Sequence, residues 1–239
     1  MLGDVLTAIV TPFRPDGAVD LDAFRRLARH LVDNGSDGLV VCGTTGEAPT
    51  LTDEERIALF AAAVDEIGDR ATVVAGTGTY DTAHSIHLTR EAEALGVDGV
   101  LVVTPYYSKP PQRAIVAHFA AIASSTSLPI VAYNIPGRVV INIEPPTMTQ
   151  LAAIDHVVAV KQAWPDLDEA RHIVDLGLIL YAGDDDLIHP FLQLGGTGGI
   201  CVHTQVVGPQ VKEMIDRYKA GDTAGAAELD GELRPAIDL

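Results

Sequence analysis

The sequence of 239 residues contains little cysteine and few basic residues, and it lacks a hydrophobic run long enough to cross a bilayer. Its two cysteines, Cys42 and Cys201, both lie in apolar segments, as buried thiols commonly do. We therefore predict free thiols in a reducing cytoplasm rather than a disulfide or a nucleophilic cysteine. Because every apolar run falls short of the roughly 20 residues of a membrane-spanning helix, we expect a soluble protein.

Basic residues are outnumbered 16 to 33 by acidic ones, and the formal net charge is −17. A field of this sign repels nucleic acid and anionic membranes, so we predict neither as a partner. An anionic substrate would have to be bound by cationic side chains close to the site, against the long-range field. Residues 1–6 lack the basic flank and the apolar stretch of a signal peptide, which again favours the cytoplasm.

Short apolar runs alternate with amphipathic segments along the whole chain. The runs predict eight strands, at residues 5–10, 37–42, 72–76, 98–103, 129–134, 157–161, 178–182 and 198–202. The other segments predict eight helices, near residues 20–34, 52–67, 81–95, 111–125, 145–154, 166–176, 184–194 and 204–220. Thr52, Asp81 and Asp184 stand where helix N-caps are expected, and Gly35 and Gly96 where C-caps are expected.

Eight strand–helix units of near-regular length predict an α/β fold, a (β/α)8 TIM barrel over residues 1–221. A doubly wound open sheet is the competing architecture. It requires a glycine-rich phosphate turn after the first strand, and residues 7–13 contain no glycine. Residues 222–239 are interpreted as a short helical C-terminal segment. In such a barrel, chemistry belongs on the loops that follow the carboxyl-terminal ends of the strands.

Lys161 ends the apolar run 157–160, which is predicted to be a buried strand. Burial disfavours the charged ammonium and can lower its pKa by several units, which leaves a neutral amine able to attack a carbonyl. A lysine at the end of a barrel strand points into the core or just above it. We therefore interpret Lys161 as the catalytic amine of a Schiff-base reaction.

Other polar clusters follow strands 2, 4 and 5. Residues 43–47 (Gly-Thr-Thr-Gly-Glu) can aim backbone amides at an anion, or can be an ordinary turn with a capping threonine. Tyr106 and Tyr107 are consecutive, so their side chains point apart and one is available for a site or a subunit interface. Tyr133 can exchange protons with a substrate or can be a core tyrosine, and Arg138 can bind a carboxylate or be solvated. An amine, a phenol and a guanidinium at neighbouring strand ends together indicate imine chemistry on a carboxylated carbonyl compound.

Three further signals are interpreted as structural. Residues 184–186 (Asp-Asp-Asp) could bind Mg²⁺, but acidic residues at a helix start are favoured by the helix dipole in any case. His84 and His87 could bind zinc, but a solvated helix face explains them. Residues 195–199 precede a strand instead of opening a helix, so they form a connector rather than a phosphate cradle. We predict no metal, no cofactor and no phosphorylated substrate.

Several of these segments, in this order, resemble the dihydrodipicolinate synthase / N-acetylneuraminate lyase family of class I aldolases, which act on pyruvate. The resemblance extends from about residue 5 to about residue 220. It rests on residues 11–13, 43–47, 105–110, 133–138, 161 and 183–185.

This resemblance implies that Lys161 forms an imine with pyruvate, so that no separate cofactor is needed. Loss of a methyl proton then gives an enamine, which attacks the aldehyde of L-aspartate-4-semialdehyde, and the product cyclises. The implied pathway is lysine and diaminopimelate biosynthesis. Proton transfer is implied for Tyr133, Thr44 and Tyr107, the last supplied by a neighbouring subunit of a homodimer or homotetramer.

Substrate-binding roles are implied by the same resemblance. Thr45, with the backbone beside it, would hold the pyruvyl carboxylate. Arg138 would bind the carboxylate of the semialdehyde and position the neighbouring phenol. Gly183 and the backbone of Ile200 would line the pyruvate pocket.

The chain departs from the family pattern in three places. Trp164 and Pro165 stand directly beyond the catalytic lysine, where family members usually have a small residue and glycine. Tyr80 and His84 replace the amide and the carboxylate of lysine-inhibited members, so we expect weak or absent lysine feedback. Beyond residue 239 the family normally continues into further helices, so that residues 222–239 would be a remnant of that extension.

Two alternatives are considered. The first is another aldolase of the same family, one that cleaves N-acetylneuraminate or a 2-keto-3-deoxy sugar acid. Thr44 and Arg138 disfavour a sialic acid lyase, which typically has serine at the first position and lacks the arginine. The second is a catalytically impaired barrel with a binding or regulatory role, for which Trp164 and the short C-terminus are the motivation.

Overall fold

The computed structural model describes residues 2–237. Within them, eight parallel strands close into a barrel in the order in which they occur along the chain. The strands are β1 Val5–Ala8, β2 Gly38–Val41, β3 Thr72–Gly76, β4 Gly99–Val103, β5 Ile130–Asn134, β6 Val157–Gln162, β7 Ile179–Ala182 and β8 Gly198–Cys201. The prediction of a (β/α)8 barrel is confirmed, and each predicted strand lies within two residues of the observed bounds.

Helices surround the barrel on its outside. They are α1 Leu21–Asp33, α2 Asp53–Ile67, α3 Thr82–Ala94, α4 Gln112–Ala123, α5 Pro136–Val139, α6 Pro145–Ala152, α7 Leu167–Asp175, α8 Ile188–Leu192, α9 Thr204–Lys219 and α10 Thr223–Ile237, with 3-10 turns at Ala48–Thr50 and Asp185–Leu187. None of the helices in this described part of the chain combines the length and the hydropathy of a membrane span.

Local sequence signals explain where several helices begin and end. Thr52 accepts a hydrogen bond from the backbone N–H of Glu55, whose carboxylate accepts one from the backbone N–H of Thr52 in return, so α2 starts with a full capping box. Asp81 caps α3 through its side chain. Gly35 and Gly96 follow α1 and α3 with φ of +98° and +84°, a backbone conformation that glycine adopts without a steric penalty.

The segment after β7 differs from the prediction of one continuous helix over 184–194. It forms the 3-10 turn Asp185–Leu187 followed by the short helix α8. Asp184 makes no capping hydrogen bond to this turn. Asp185 instead accepts hydrogen bonds from the backbone N–H groups of Val202 and His203, at 2.8 and 3.1 Å. The predicted cap at Asp184 is therefore wrong, because long-range partners fix this loop.

Apolar side chains fill two layers, one inside the barrel and one between the strands and the helices. Because both faces of a parallel sheet are covered, its strands are almost continuously apolar, as observed here. The outer layer also takes in Ala226 and Leu233 of α10, which are buried against it. The division of the chain at residue 221 remains a prediction.

Candidate active site

Lys161 lies one residue before the end of β6 and points into the barrel. Ala159 and Ala163, two residues before and after it, belong to the interior layer, and side chains two apart share one face of a strand. The lysine is 5% exposed, and its Nζ lies 4.3 Å from the centroid of the Tyr133 ring. The sequence-predicted placement, inward at the barrel rim, is therefore the one observed.

The environment of this lysine favours the neutral amine. Burial lowers its pKa from 10.5 to about 8, and Arg138 acts in the same direction. Cys201, Asp184 and Asp185 act in the opposite direction and limit the fall. With a pKa of about 8 the amine is mostly protonated at neutral pH, yet a usable fraction of it is neutral and free to attack a carbonyl.

Tyr133 stands opposite Lys161 in the register between β5 and β6. Burial raises the pKa of its phenol, and the charge of Asp184 raises it further, whereas the Thr44 hydroxyl and the Arg138 guanidinium lower it. The phenol therefore keeps its proton at neutral pH. A phenol that keeps its proton can donate it to an alkoxide that develops beside it.

Thr44 and Thr45 lie on the turn that follows β2. Thr11 Oγ1 donates a hydrogen bond to the carbonyl oxygen of Gly46 at 2.7 Å and so ties this turn to the first strand's loop. The chain leaves the turn through Glu47, whose φ is +56°. Thr44 and Tyr133 line the same cavity of about 50 Å³. The structure thus brings the threonine turn and the phenol to one place.

The two consecutive tyrosines after β4 diverge. Tyr106 is half-buried, lines the same cavity and packs edge-on against Tyr80, with ring centroids 5.3 Å apart. Tyr107 is 92% exposed and has a φ of +68°. The prediction that their side chains point apart is confirmed. Tyr107 lies outside the cluster around Lys161 of its own chain.

Arg138 belongs to α5, in the loop directly after Tyr133, and is exposed at the rim. It is close enough to Lys161, Tyr133 and Asp184 to influence the pKa of each. A guanidinium in this position offers a planar pair of donors to a carboxylate that enters from solvent.

Gly183, directly after β7, and Ile200, within β8, are the remaining predicted site residues. A Cβ on Gly183 would lie 2.7 Å from the Cβ of Ala163, so only glycine allows this close approach of the β6 and β7 loops. Its N–H donates to the carbonyl oxygen of Gln162 at 2.8 Å. Ile200 is fully buried in the interior layer.

Sequence reasoning assigned only structural roles to Asp184 and Asp185, but both lie within electrostatic reach of Lys161. Burial acts to raise the pKa of Asp185, but its interactions with His203 and Val202 outweigh this effect and the net shift is downward. Asp184 has a raised pKa, chiefly through burial. Their signal was present in the sequence, because the loops after β6 and β7 of a barrel are neighbours and three acidic residues, 184–186, open the loop after β7.

The arrangement so far is a buried amine of lowered pKa, a protonated phenol, a threonine turn and an exposed guanidinium, all at the carboxyl-terminal rim. The chain matches the dihydrodipicolinate synthetase family over residues 1–239. It belongs to this family. The resemblance drawn from the motifs is therefore confirmed.

Relatives in the family carry consistent names. The chain is 53% identical to a 4-hydroxy-tetrahydrodipicolinate synthase of Moorella thermoacetica, over 98% of this chain and 81% of that protein. It is 50% identical to one of Mycolicibacterium paratuberculosis, over 99% of this chain and 79% of that protein.

Solved structures of the family show the same fold. The dihydrodipicolinate synthase of Bacillus anthracis superposes with a TM-score of 0.96 at 40% identity, covering 100% of this chain and 82% of that one. A chloride-inhibited dihydrodipicolinate synthase of Acinetobacter baumannii, complexed with pyruvate, gives a TM-score of 0.96 at 33% identity, covering 100% and 83%.

Proposed function

We propose that this chain is a lyase that condenses pyruvate with L-aspartate-4-semialdehyde to give 4-hydroxy-tetrahydrodipicolinate, in lysine and diaminopimelate biosynthesis. The observation that carries the proposal is the buried Lys161 amine, with a pKa near 8 and its Nζ against the Tyr133 ring. Relatives of about 50% identity over nearly the whole chain bear the name of this activity.

The reaction begins with addition of the neutral Lys161 amine to the ketone carbon of pyruvate. Loss of water from the adduct gives an imine, and loss of a proton from the pyruvyl methyl group gives an enamine. Burial of the amine supports this step, because it lowers the pKa towards neutrality. The reaction needs no separate cofactor, since the protonated imine itself accepts the electron pair.

The enamine carbon then attacks the aldehyde of the semialdehyde, and the new alkoxide takes a proton. Tyr133 is the proposed donor, with Thr44 and Tyr107 as the proton relay. The amino group of the semialdehyde finally attacks the imine carbon, which closes the ring and releases Lys161 as a free amine. The atoms balance, because the condensation loses one water, on forming the imine. The lysine amine that leaves at ring closure is the one that formed the imine.

Carboxylate recognition offsets the net charge of −17. Thr45, with the Thr44 backbone, is proposed to hold the pyruvyl carboxylate, and Arg138 the carboxylate of the semialdehyde. Gly183 and the Ile200 backbone are proposed to line the pyruvate pocket, and glycine at 183 is what allows the β7 loop to approach Ala163 so closely.

Tyr107 extends the proposal to a homo-oligomer. Its 92% exposed ring, held on a left-handed backbone, supports a role in the site of a neighbouring subunit. Mixing Tyr107→Phe chains with Lys161→Met chains tests this role. Hybrids regain activity if the tyrosine crosses the interface, because one site then has both groups, and they stay inactive if each site is built from one chain.

Location in the cytoplasm is part of the same proposal. Cys42 and Cys201 are both buried and free. Burial raises the pKa of Cys42 to about 12 and that of Cys201 well above its usual value, so both are poor nucleophiles. Unreactive, unpaired thiols suit a reducing compartment.

Borohydride reduction in the presence of pyruvate tests the central step. The expected result is one reduced pyruvyl group per chain, found on the peptide that contains Lys161 and absent from the Lys161→Met variant. An adduct on another lysine, or none on the folded protein, would refute the proposal. Comparing L-aspartate-4-semialdehyde with N-acetylmannosamine as the second substrate then separates this activity from that of a sialic acid lyase.

A further inference from the structure

Behind the catalytic pair, on the outer face of the same two strands, lies a second pair of polar residues. Asn134 and Gln162 directly follow Tyr133 and Lys161, stand opposite each other in the register and are fully buried. Asn134 Nδ2 donates a hydrogen bond to Gln162 Oε1 at 2.9 Å. This bond fixes the strands to each other one residue beyond the reacting groups.

Asn134 also closes the loop that carries Arg138. Its Nδ2 donates to Asn142 Oδ1 at 2.7 Å, and its Oδ1 accepts from the backbone N–H of Ile143 at 3.0 Å. Residues 135–141, which include α5, therefore leave β5 and return to the same side chain. One buried amide holds both ends of the loop.

The loop needs this closure because its backbone is strained. Val140 has a φ of +69°, a conformation that a β-branched residue adopts only at a steric cost. Its side chain is 63% exposed, so packing contributes little to holding it there. Such a residue persists only where the surrounding structure fixes it. Val140 lies within the loop that the hydrogen bonds of Asn134 to Asn142 and Ile143 close.

Glu169 anchors the closure from the next loop along the barrel. Asn142 Nδ2 donates to both of its carboxylate oxygens, at 2.7 and 3.0 Å. Glu169 lies in the first turn of α7, where the side chain of Asp166 caps its backbone N–H. Burial raises the pKa of this carboxyl, while the Asn142 and Gln162 amides lower it. The chain of contacts therefore joins the loops after β5 and β6.

We propose that Asn134 and Asn142, anchored by Glu169, are positioning residues that hold Arg138 at the rim, within electrostatic reach of Lys161, by closing the loop after β5. The inference rests on the proposed function, in which Arg138 binds the carboxylate of the second substrate. Apolar side chains could fill the same space at a lower desolvation cost, but they could not fix both ends of the loop through directional bonds.

Asn142→Ala is the central test, since Asn142 is only half-buried and the barrel core stays intact. The expected result is a rise of about tenfold or more in KM for the semialdehyde, because a misplaced positioning group costs up to about 10²-fold. Trapping of pyruvate on Lys161 should remain within about twofold of wild type. Asn34→Ala is the matched control, because Asn34 is also half-buried and, among the described residues, its side chain bonds His30 alone, at the end of α1.

Glu169 supplies a rescue pair. Glu169→Ala removes the acceptor for Asn142 and should raise the same KM by several-fold. Glu169→Gln retains one acceptor oxygen and should restore KM to within about twofold of wild type, because the bond and not the charge carries the effect. Equal KM values for Asn142→Ala, Asn34→Ala and wild type, or no difference between the two Glu169 variants, would overturn the proposal.

Amide hydrogen exchange of residues 137–141 gives a reading that needs no turnover. In Asn142→Ala these amides should exchange at least about tenfold faster than in wild type and in Asn34→Ala, because loss of the closure lowers the local opening free energy. Unchanged exchange would overturn the positioning role. If wild type instead fails to trap pyruvate while exchange responds as expected, the proposed function fails and the loop closure stands.

Discussion

At their carboxyl-terminal ends, β5 and β6 carry two polar pairs that face opposite sides of one wall. Tyr133 and Lys161 face the barrel interior, where the contact between them is an amine against an aromatic ring at 4.3 Å. Asn134 and Gln162 face the helices, where Asn134 uses both its donor and its acceptor groups. The reactive pair and the hydrogen-bonded pair are therefore consecutive along both strands.

The difference follows from solvation. On the inner face, polar contacts offset the desolvation of Lys161 and Tyr133 only in part, so the pKa of the lysine is lowered and the pKa of the tyrosine is raised. On the outer face, burial is compensated by hydrogen bonds, and the result is a fixed geometry. Reactivity and rigidity are thus assigned to opposite sides of the same strands, so each can be changed separately.

Lys161→Met removes the inner amine and should have the largest effect. We expect turnover to fall by at least about 10⁴-fold, as is usual when a nucleophile is deleted. Circular dichroism should show an unchanged fold, because methionine matches the lysine stem in length. The control is Lys219→Met, at an exposed lysine paired with Asp4, which should keep wild-type turnover. A Lys161→Met protein with more than about 1% of wild-type activity would contradict the assignment.

Tyr133→Phe removes only the hydroxyl of the inner tyrosine and keeps its ring, and kcat should fall by about 10²-fold or more, the range for loss of a general acid. Trapping of pyruvate should persist, because the amine remains. Tyr181→Phe is the matched control. Tyr181 is also buried in the barrel and stands opposite Lys161 in the register between β6 and β7, but its hydroxyl is already engaged, because it donates to Gly3 O at 2.9 Å. Equal kcat values for the two variants would remove Tyr133 from proton transfer.

The inner pair was predictable from the sequence, whereas the outer pair was not. Lys161 ends an apolar run, and a barrel strand gives its last inward residue a fixed place at the rim. Asn134 also lies in a motif that the sequence marks, but its partners are 8, 9 and 28 residues away. A single sequence shows strand patterns and helix caps, which are local, and does not show which distant amides meet.

The same distinction explains the error after β7. Asp184 has the residue type of an N-cap, and local propensity favours a helix there. The bonds from Val202 and His203 to Asp185 come from 17 and 18 residues further along the chain, and they override that propensity. The strained φ of Val140 was equally invisible, because no local signal asks valine to adopt it.

Stability measured against pH should also separate the inner lysine from an ordinary one. Its pKa is lowered from 10.5 to about 8 in the folded state, so the unfolded chain binds more protons between these values. The contribution of Lys161 to stability should therefore rise with pH across this window, whereas the two buried thiols act in the opposite direction in wild type and in Lys161→Met alike. Below pH 8, the fall from 10.5 to about 8 corresponds to about 3 kcal/mol of destabilisation, which Lys161→Met should recover. Urea unfolding at pH 7 and pH 10 measures the change, and an equal gain at both would contradict it.

The two members of the outer pair should differ in the free energy of unfolding. Asn134→Leu leaves the Ile143 N–H and the Gln162 Oε1 unpaired in the interior, so we expect a loss of about 3 kcal/mol. Gln162→Met should cost about 1 kcal/mol or less, because it removes one acceptor but also the Gln162 Nε2. Within residues 2–237 that buried donor has no partner of good geometry, although the amide lies close to Glu169. Urea unfolding at pH 7 compares the two variants. Equal losses would mean that Gln162 stabilises the β5–β6 pair as much as Asn134 does. The rigidity would then come from the pairing of the two strands and not from the Asn134 side chain that closes the loop.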